Sequence, residues 1–133
     1  MIAIYLYVRN IVNVLKQAIN EASKSSFNHR VGAVLMKNNH ALASGFNQLR
    51  HQGTIKTSHW KGSLHAEVAC LIDALRKVPK SKIRGTTLVV VRLKRDGTLG
   101  LAFPCKDCYD LIESFGIKRV IFSTNTGVSE IKI

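Results

Sequence analysis

Leu88-Val89-Val90-Val91 is an unbroken apolar run within Thr87–Arg92. A half-buried strand alternates apolar and polar residues, whereas a run without alternation belongs to a strand covered on both faces. The chain holds helices that can supply the cover. Ile4, Val8, Ile11, Leu15, Ile19 and Ala22 recur at helical spacing, and Ser23, Ser25 and Ser26 close the stripe. Val68, Leu71, Ile72 and Leu75 form the apolar face of a second helix over His65–Arg76, bounded by Pro79. A third helix starts near Cys105, buries Leu111 and Ile112 and stops at Gly116. Val31–Met36 and Ala41–Phe46 read as two strands joined by the turn Lys37-Asn38-Asn39-His40, and Asp96-Gly97 is a hairpin-type signal. Arg119–Ser123 is another buried-type strand. Val128–Ile133 then adds an antiparallel edge strand after the turn Asn125-Thr126-Gly127. The order α-β-β-α-β-α-β predicts a three-layer α/β/α domain with a mixed central sheet of about five strands.

The 133 residues suit a single domain over 1–133, and 46% apolar residues exclude a disordered chain. The longest apolar run, Met1 to Val8, is too short to span a bilayer and lacks the flanks of a signal peptide. A soluble cytoplasmic protein without membrane contact is expected. Three cysteines are an odd number and make no disulfide framework. In a reducing compartment a Cys-x-x-C pair more often binds metal or does chemistry.

Two segments carry reactive side chains, His65-Ala66-Glu67 and Pro104-Cys105-Lys106-Asp107-Cys108. Each opens a predicted helix. Cys105 and Cys108, spaced i and i+3, share one helix face. If the two helix starts meet, one imidazole and two thiolates can hold zinc and leave a fourth tetrahedral position for water, the open arrangement of a catalytic centre. Helix N-termini lower thiol pKa values and so favour thiolate ligands. Taken singly, the Cys-x-x-C also suits a redox pair or half of a structural zinc site, and His-x-Glu is common by chance. Cys70 reads as a plain core thiol. His29 and His40 read as surface turn residues. Tyr109 suits either the pocket wall or helix packing.

The pairing H-x-E … P-C-x-x-C resembles the zinc deaminase signature of the cytidine and deoxycytidylate deaminase superfamily. Val31-Gly32-Ala33-Val34, the turn after it and Gly45-Phe46-Asn47 resemble that superfamily's first hairpin. Gly116-Ile117-Lys118-Arg119-Val120 resembles its strand after the cysteine helix. The resemblance implies His65, Cys105 and Cys108 as ligands of one catalytic Zn2+, Glu67 as the proton shuttle, and Asn47 as a hydrogen-bond partner of the substrate's sugar or base. Asn47 also suits the capping of a strand end. Val68 to Phe103 spans 36 residues, longer than is usual between the motifs of polynucleotide cytidine deaminases, and Arg92 to Leu101 holds an added turn or hairpin. Phe103 stands where tRNA adenosine deaminases typically carry Glu.

Lys plus Arg is 20 against 8 for Asp plus Glu, a formal charge of +12 that favours an anionic partner. Arg76, Lys77, Lys80, Lys82 and Arg84 fall at the far end of the second helix, where cations complement the helix dipole. Arg50, Lys56, Lys61, Arg92, Lys94, Arg95 and Lys106 fall in segments leading to or from the catalytic end and are the candidate phosphate ligands, with Arg92, Lys94 and Arg95 foremost. Trp60 suits stacking on a base or packing within its loop. The expected activity is hydrolytic conversion of cytosine to uracil in a phosphate-bearing substrate, a CMP- or dCMP-type nucleotide or a single-stranded nucleic acid. Deamination of adenosine in tRNA, or a zinc-stabilised nucleic-acid-binding module without catalysis, are the competing readings. Intact Glu67 speaks against the last, because a structural zinc site does not require that carboxylate. A homo-oligomer is compatible with the family.

Overall fold

The computed structural model describes the backbone of residues 2–49 and 63–133, and the side chains from residue 8 onward within those ranges. Three helices, α1 (Ile2–Ser23), α2 (Ala66–Lys77) and α3 (Lys106–Ser114), accompany strands β1 (Arg30–Lys37), β2 (His40–Phe46), β3 (Thr87–Leu93), β4 (Leu99–Gly100), β5 (Arg119–Thr124) and β6 (Gly127–Lys132). They form a mixed sheet in the order β2-β1-β3-β5-β6, with the short β4 paired to the end of β3. β3 and β5 are parallel, and the other pairings are antiparallel. The final strand is antiparallel to β5, as expected. Two-residue β4 is the strand that propensity alone did not mark, and it forms the returning arm of the Asp96-Gly97 turn.

The unbroken apolar runs resolve into two faces. Val34, Met36, Val89, Val91, Leu93 and Ile121 point at Val14, Ala18 and Ala22 of α1. Ala33, Leu35, Leu88, Val90, Val120 and Phe122 point the other way and pack with α2 and α3. Successive strand residues face opposite sides, so a sheet covered twice needs apolar residues at every position. The architecture is therefore the expected α/β/α sandwich. The α1 stripe is rotated from its sequence reading. Val14 and Ala18 take the deepest positions, whereas Val8 is 53% exposed. Among the described residues, the contacts of α1 with the sheet run from Ile11 to Ala22, and Val8 lies beyond them.

Two glycines fix how closely the helices approach. A Cβ on Gly32 would sit 2.2 Å from the Ala18 carbonyl oxygen of α1, and one on Gly45 would sit 2.4 Å from the Cys70 backbone nitrogen of α2. Any larger residue would push a helix off the sheet. The β1–β2 turn uses Asn38 (φ 52°) and Asn39 (φ 66°) in the left-handed region. That is the backbone of a two-residue hairpin turn, and Asn tolerates it better than most residues.

Candidate active site

α2 and α3 both begin at the same end of the sheet, and their cap residues carry the chemistry. His65 caps α2 and Cys105 caps α3, both with extended backbone and neither with a side-chain capping hydrogen bond. Their carbonyls accept the first helical bonds, from Ala69 N (3.0 Å) and Tyr109 N (2.8 Å). Ser, Thr, Asp or Asn would bind the free N–H groups at such positions, and each missing cap costs about 1 kcal/mol. Here the imidazole and the thiol turn towards each other instead. His65 Nδ1 lies 3.7 Å from Cys105 Sγ and 3.4 Å from Cys108 Sγ. The three ligand atoms lie within 4.8 Å of one another. Tetrahedral zinc with bonds of about 2.0–2.3 Å places its ligand atoms about 3.4–3.8 Å apart. The donor set and its spacing fit that ion.

The electrostatics point the same way. Cys108 is fully buried, and burial, with the Glu67 carboxyl as the next cause, pushes its thiol pKa far up. Burial also lowers the His65 pKa, partly opposed by Asp107, so the imidazole favours its neutral, ligating form. A coordinated cation reverses the penalty on a thiolate, because metal-bound thiols are deprotonated. Glu67, in the first turn of α2, is 6% exposed, and its pKa is raised chiefly by burial. A carboxyl with a raised pKa beside such a cluster suits proton transfer near neutral pH.

A cavity of about 220 Å³ opens onto this cluster, lined by Val31, Asn47, His65, Ala66, Glu67, Ala102, Phe103 and Cys105. Asn47 reaches it while tying the site to β1. Its Oδ1 accepts from Val31 N (2.9 Å) and its Nδ2 donates to His29 O (2.6 Å). One acceptor and one donor position of the amide stay available. Ahead of α2, Gln48 and Leu64 exchange backbone hydrogen bonds of 3.0 and 2.7 Å. Trp60, with Arg50, His51, Lys56, His59 and Lys61, lies outside the described residues.

Arg92, Lys94 and Arg95 do not line the cavity. Arg92 lies on the α2/α3 face of β3, opposite Val31 and Gly100 in register. Its Nε is buried without a hydrogen-bond partner among the described residues. Arg95 donates to Asn28 Oδ1. Lys106 pairs with Asp110 and is otherwise exposed. Cys70 is buried with its Sγ 3.6 Å from the Ala43 carbonyl oxygen, and burial raises its pKa, in keeping with a core thiol. His29 and His40 are exposed. Two contributors were given no role in the cavity by the sequence reading. Phe103 walls the cavity, stacks on Tyr109 at 6.3 Å and meets Phe122 edge-on at 5.2 Å. Buried Ser123 accepts from Arg92 N (2.9 Å) and donates to Gly100 O (2.7 Å), joining β3, β4 and β5 beneath the site. An aromatic directly before Pro-Cys was a legible signal for Phe103. Ser123 had none.

The model of the cytidine and deoxycytidylate deaminase zinc-binding region matches residues 8–124 of the chain. The chain belongs to this family. Solved structures agree. The dCMP deaminase of cyanophage S-TIM5 is 25% identical, with a TM-score of 0.63 over 82% of this chain and 78% of that one. A diaminohydroxyphosphoribosylaminopyrimidine deaminase/reductase of Thermotoga maritima is 31% identical over 83% of this chain but only 28% of that longer one, with a TM-score of 0.55. The cytidine deaminase of Burkholderia pseudomallei shares the fold, with a TM-score of 0.63 at 20% identity over 88% of this chain and 87% of that one. No curated protein sequence matches significantly. The chain is thus a zinc-dependent deaminase of the cytidine deaminase superfamily, and its His/Cys/Cys cluster points to a zinc ion.

Proposed function

We propose that this deaminase hydrolyses the exocyclic amine of cytosine in a phosphate-bearing substrate, yielding uracil and ammonia. The observation that carries the reading is the buried Glu67 carboxyl, which lines the cavity beside the His65/Cys105/Cys108 cluster. Bound zinc would supply Lewis acidity, drawing the pKa of a water down towards about 7. Glu67 accepts a proton from the attacking water and passes it to the ring nitrogen, then takes the second proton from the newly added hydroxyl as the carbonyl forms and gives it to the departing amine. One water is consumed and one ammonia leaves. The N-termini of α2 and α3 point at the cavity, and their free N–H groups favour negative charge that develops there. Asn47 offers its spare amide positions to the sugar or base. Phe103 offers an apolar wall to the ring.

A phosphate on the substrate is supported by the S-TIM5 dCMP deaminase, which has been solved with dCMP and dUMP, and by a formal charge of +12 that favours an anionic partner. Phe103 in place of Glu before Pro-Cys, and the likeness to a dCMP deaminase, favour cytosine over adenosine. Three free cysteines suit the reducing cytoplasm.

Incubating the zinc-loaded protein with cytidine, CMP, dCMP and cytosine-containing single-stranded DNA and RNA tests the reading. Uracil should form from the phosphorylated substrates in preference to cytidine. Turnover confined to adenosine-containing RNA, or to an aminopyrimidine other than cytosine, would refute it.

A further inference from the structure

A second cleft, of about 330 Å³, lies at the opposite end of the sheet from the zinc cluster. Its walls come from the β1–β2 turn and the starts of β3 and β5. Lys37, Asn38, Asn39, Arg84, Lys118 and Arg119 line it, and no carboxylate does among the described residues. The Arg84 guanidinium and the Lys118 ammonium are exposed and make no hydrogen bond or ion pair among the described residues, and neither do the Asn38 and Asn39 amides. Lys37 Nζ is held over the cleft by the Lys82 carbonyl oxygen (3.1 Å) and keeps two protons to donate. Arg119 is anchored by Thr87 Oγ1 and the Glu130 carboxylate, both at 2.9 Å. These cations converge from three separate elements. They do not sit in the last turn of α2, where Arg76 and Lys77 alone complement the dipole. Dipole complement therefore does not account for Arg84.

We propose that this cleft binds backbone phosphates of a single-stranded polynucleotide. Position separates it from a mononucleotide site. β1 runs from Val31 at the zinc cavity to Lys37 at the cleft, roughly 20 Å at 3.3 Å per residue. A nucleotide whose base fills the cavity cannot bring its own phosphate there, whereas a chain of several nucleotides reaches both ends. Convergent cations with free amide donors suit successive phosphates, and a chain of charge +12 has more cationic surface than one phosphate can use. The single-stranded form rests on the deaminase reading, because a base must leave its stack to enter the cavity.

The test is equilibrium binding of the intact zinc-loaded protein to labelled oligothymidylate over a salt series. Thymine has no exocyclic amine, so binding is read apart from catalysis. Arg84→Gln/Lys118→Gln should weaken binding about tenfold and lower the salt slope by about 1.4, at 0.7 per lost phosphate contact on single strands. Arg9→Gln/Lys16→Gln on α1 removes the same charge outside the cleft and should leave the slope near wild type. Melting curves on both variants check that each is folded. Equal losses in the two variants, or no loss in either, would overturn the proposal. So would inorganic tripolyphosphate binding through Arg84 and Lys118 more tightly than the oligonucleotide. If cytosine substrates are not deaminated while this dependence persists, the deaminase reading fails and the cleft stands.

Discussion

At the residue scale, the site is assembled at the expense of two helix caps. His65 and Cys105 occupy positions where a hydroxyl or carboxamide would satisfy free N–H groups, and they face each other instead. These residues were legible because their chemistry depends on local spacing. His65 and Glu67 are two apart, and Cys105 and Cys108 are one helical turn apart. Glu67→Gln keeps the size and burial of the side chain and removes its proton traffic. It should retain one zinc per chain by metal analysis while turnover falls by about 10²–10⁴-fold. Cys108→Ala should lose the metal. Cys70→Ala should keep it, since that thiol is buried against the Ala43 carbonyl on α2's flank. Zinc loss in the Cys70 variant would redraw the ligand set.

At the scale of elements, the zinc cluster is only as well placed as α2 and α3. Gly45 allows the α2 backbone to lie directly on β2. Gly45→Ala would force the helix outward against backbone atoms that cannot yield, and should lower stability by about 1–3 kcal/mol in denaturant unfolding. Zinc affinity should fall with it, because His65 moves with its helix. Wild-type stability in this variant would show that α2 has room to shift. The open edge of β2 is covered by α2 side chains. Asp73 accepts from Ser44 N (3.0 Å), and Lys77 donates to the Leu42 carbonyl oxygen (3.3 Å) while pairing with Asp73. Element types and most boundaries followed from apolar periodicity. β4 and the role of Ser123 did not, because both arise from pairing across strands distant in sequence. The rotation of the α1 stripe was hidden for a related reason. Periodicity shows which face of a helix is apolar, but the extent of the sheet decides how much of that face is covered.

At the scale of the molecule, a sheet covered on both faces separates two ends with different chemistry. One end gathers helix N-termini, thiols and a buried carboxyl. The other gathers lysine, arginine and asparagine around a cleft. The sign and size of the net charge were plain in the composition. Its distribution was not, since Lys37, Arg84 and Lys118 are far apart in sequence and meet only through the β1–β3–β5 arrangement. A zinc ion held by the folded cluster should also hold the fold. Removing it with a chelator should lower the melting temperature, and re-addition at about 100 times the dissociation constant should restore about 2.7 kcal/mol. An unchanged melting temperature after proven zinc loss would show that α2 and α3 do not depend on the ion.

The most direct measurement follows the reacting oxygen. The zinc-loaded protein is incubated with dCMP and with a cytosine-containing single-stranded oligonucleotide in heavy-oxygen water, and the products are weighed by mass spectrometry. The expected result is uracil carrying one heavy oxygen at the carbon that bore the amine, one ammonia released per uracil, and loss of both in Glu67→Gln with zinc retained. No uracil from either substrate, or full turnover in the Glu67 variant, would contradict the assignment of this cavity as a cytosine deaminase site.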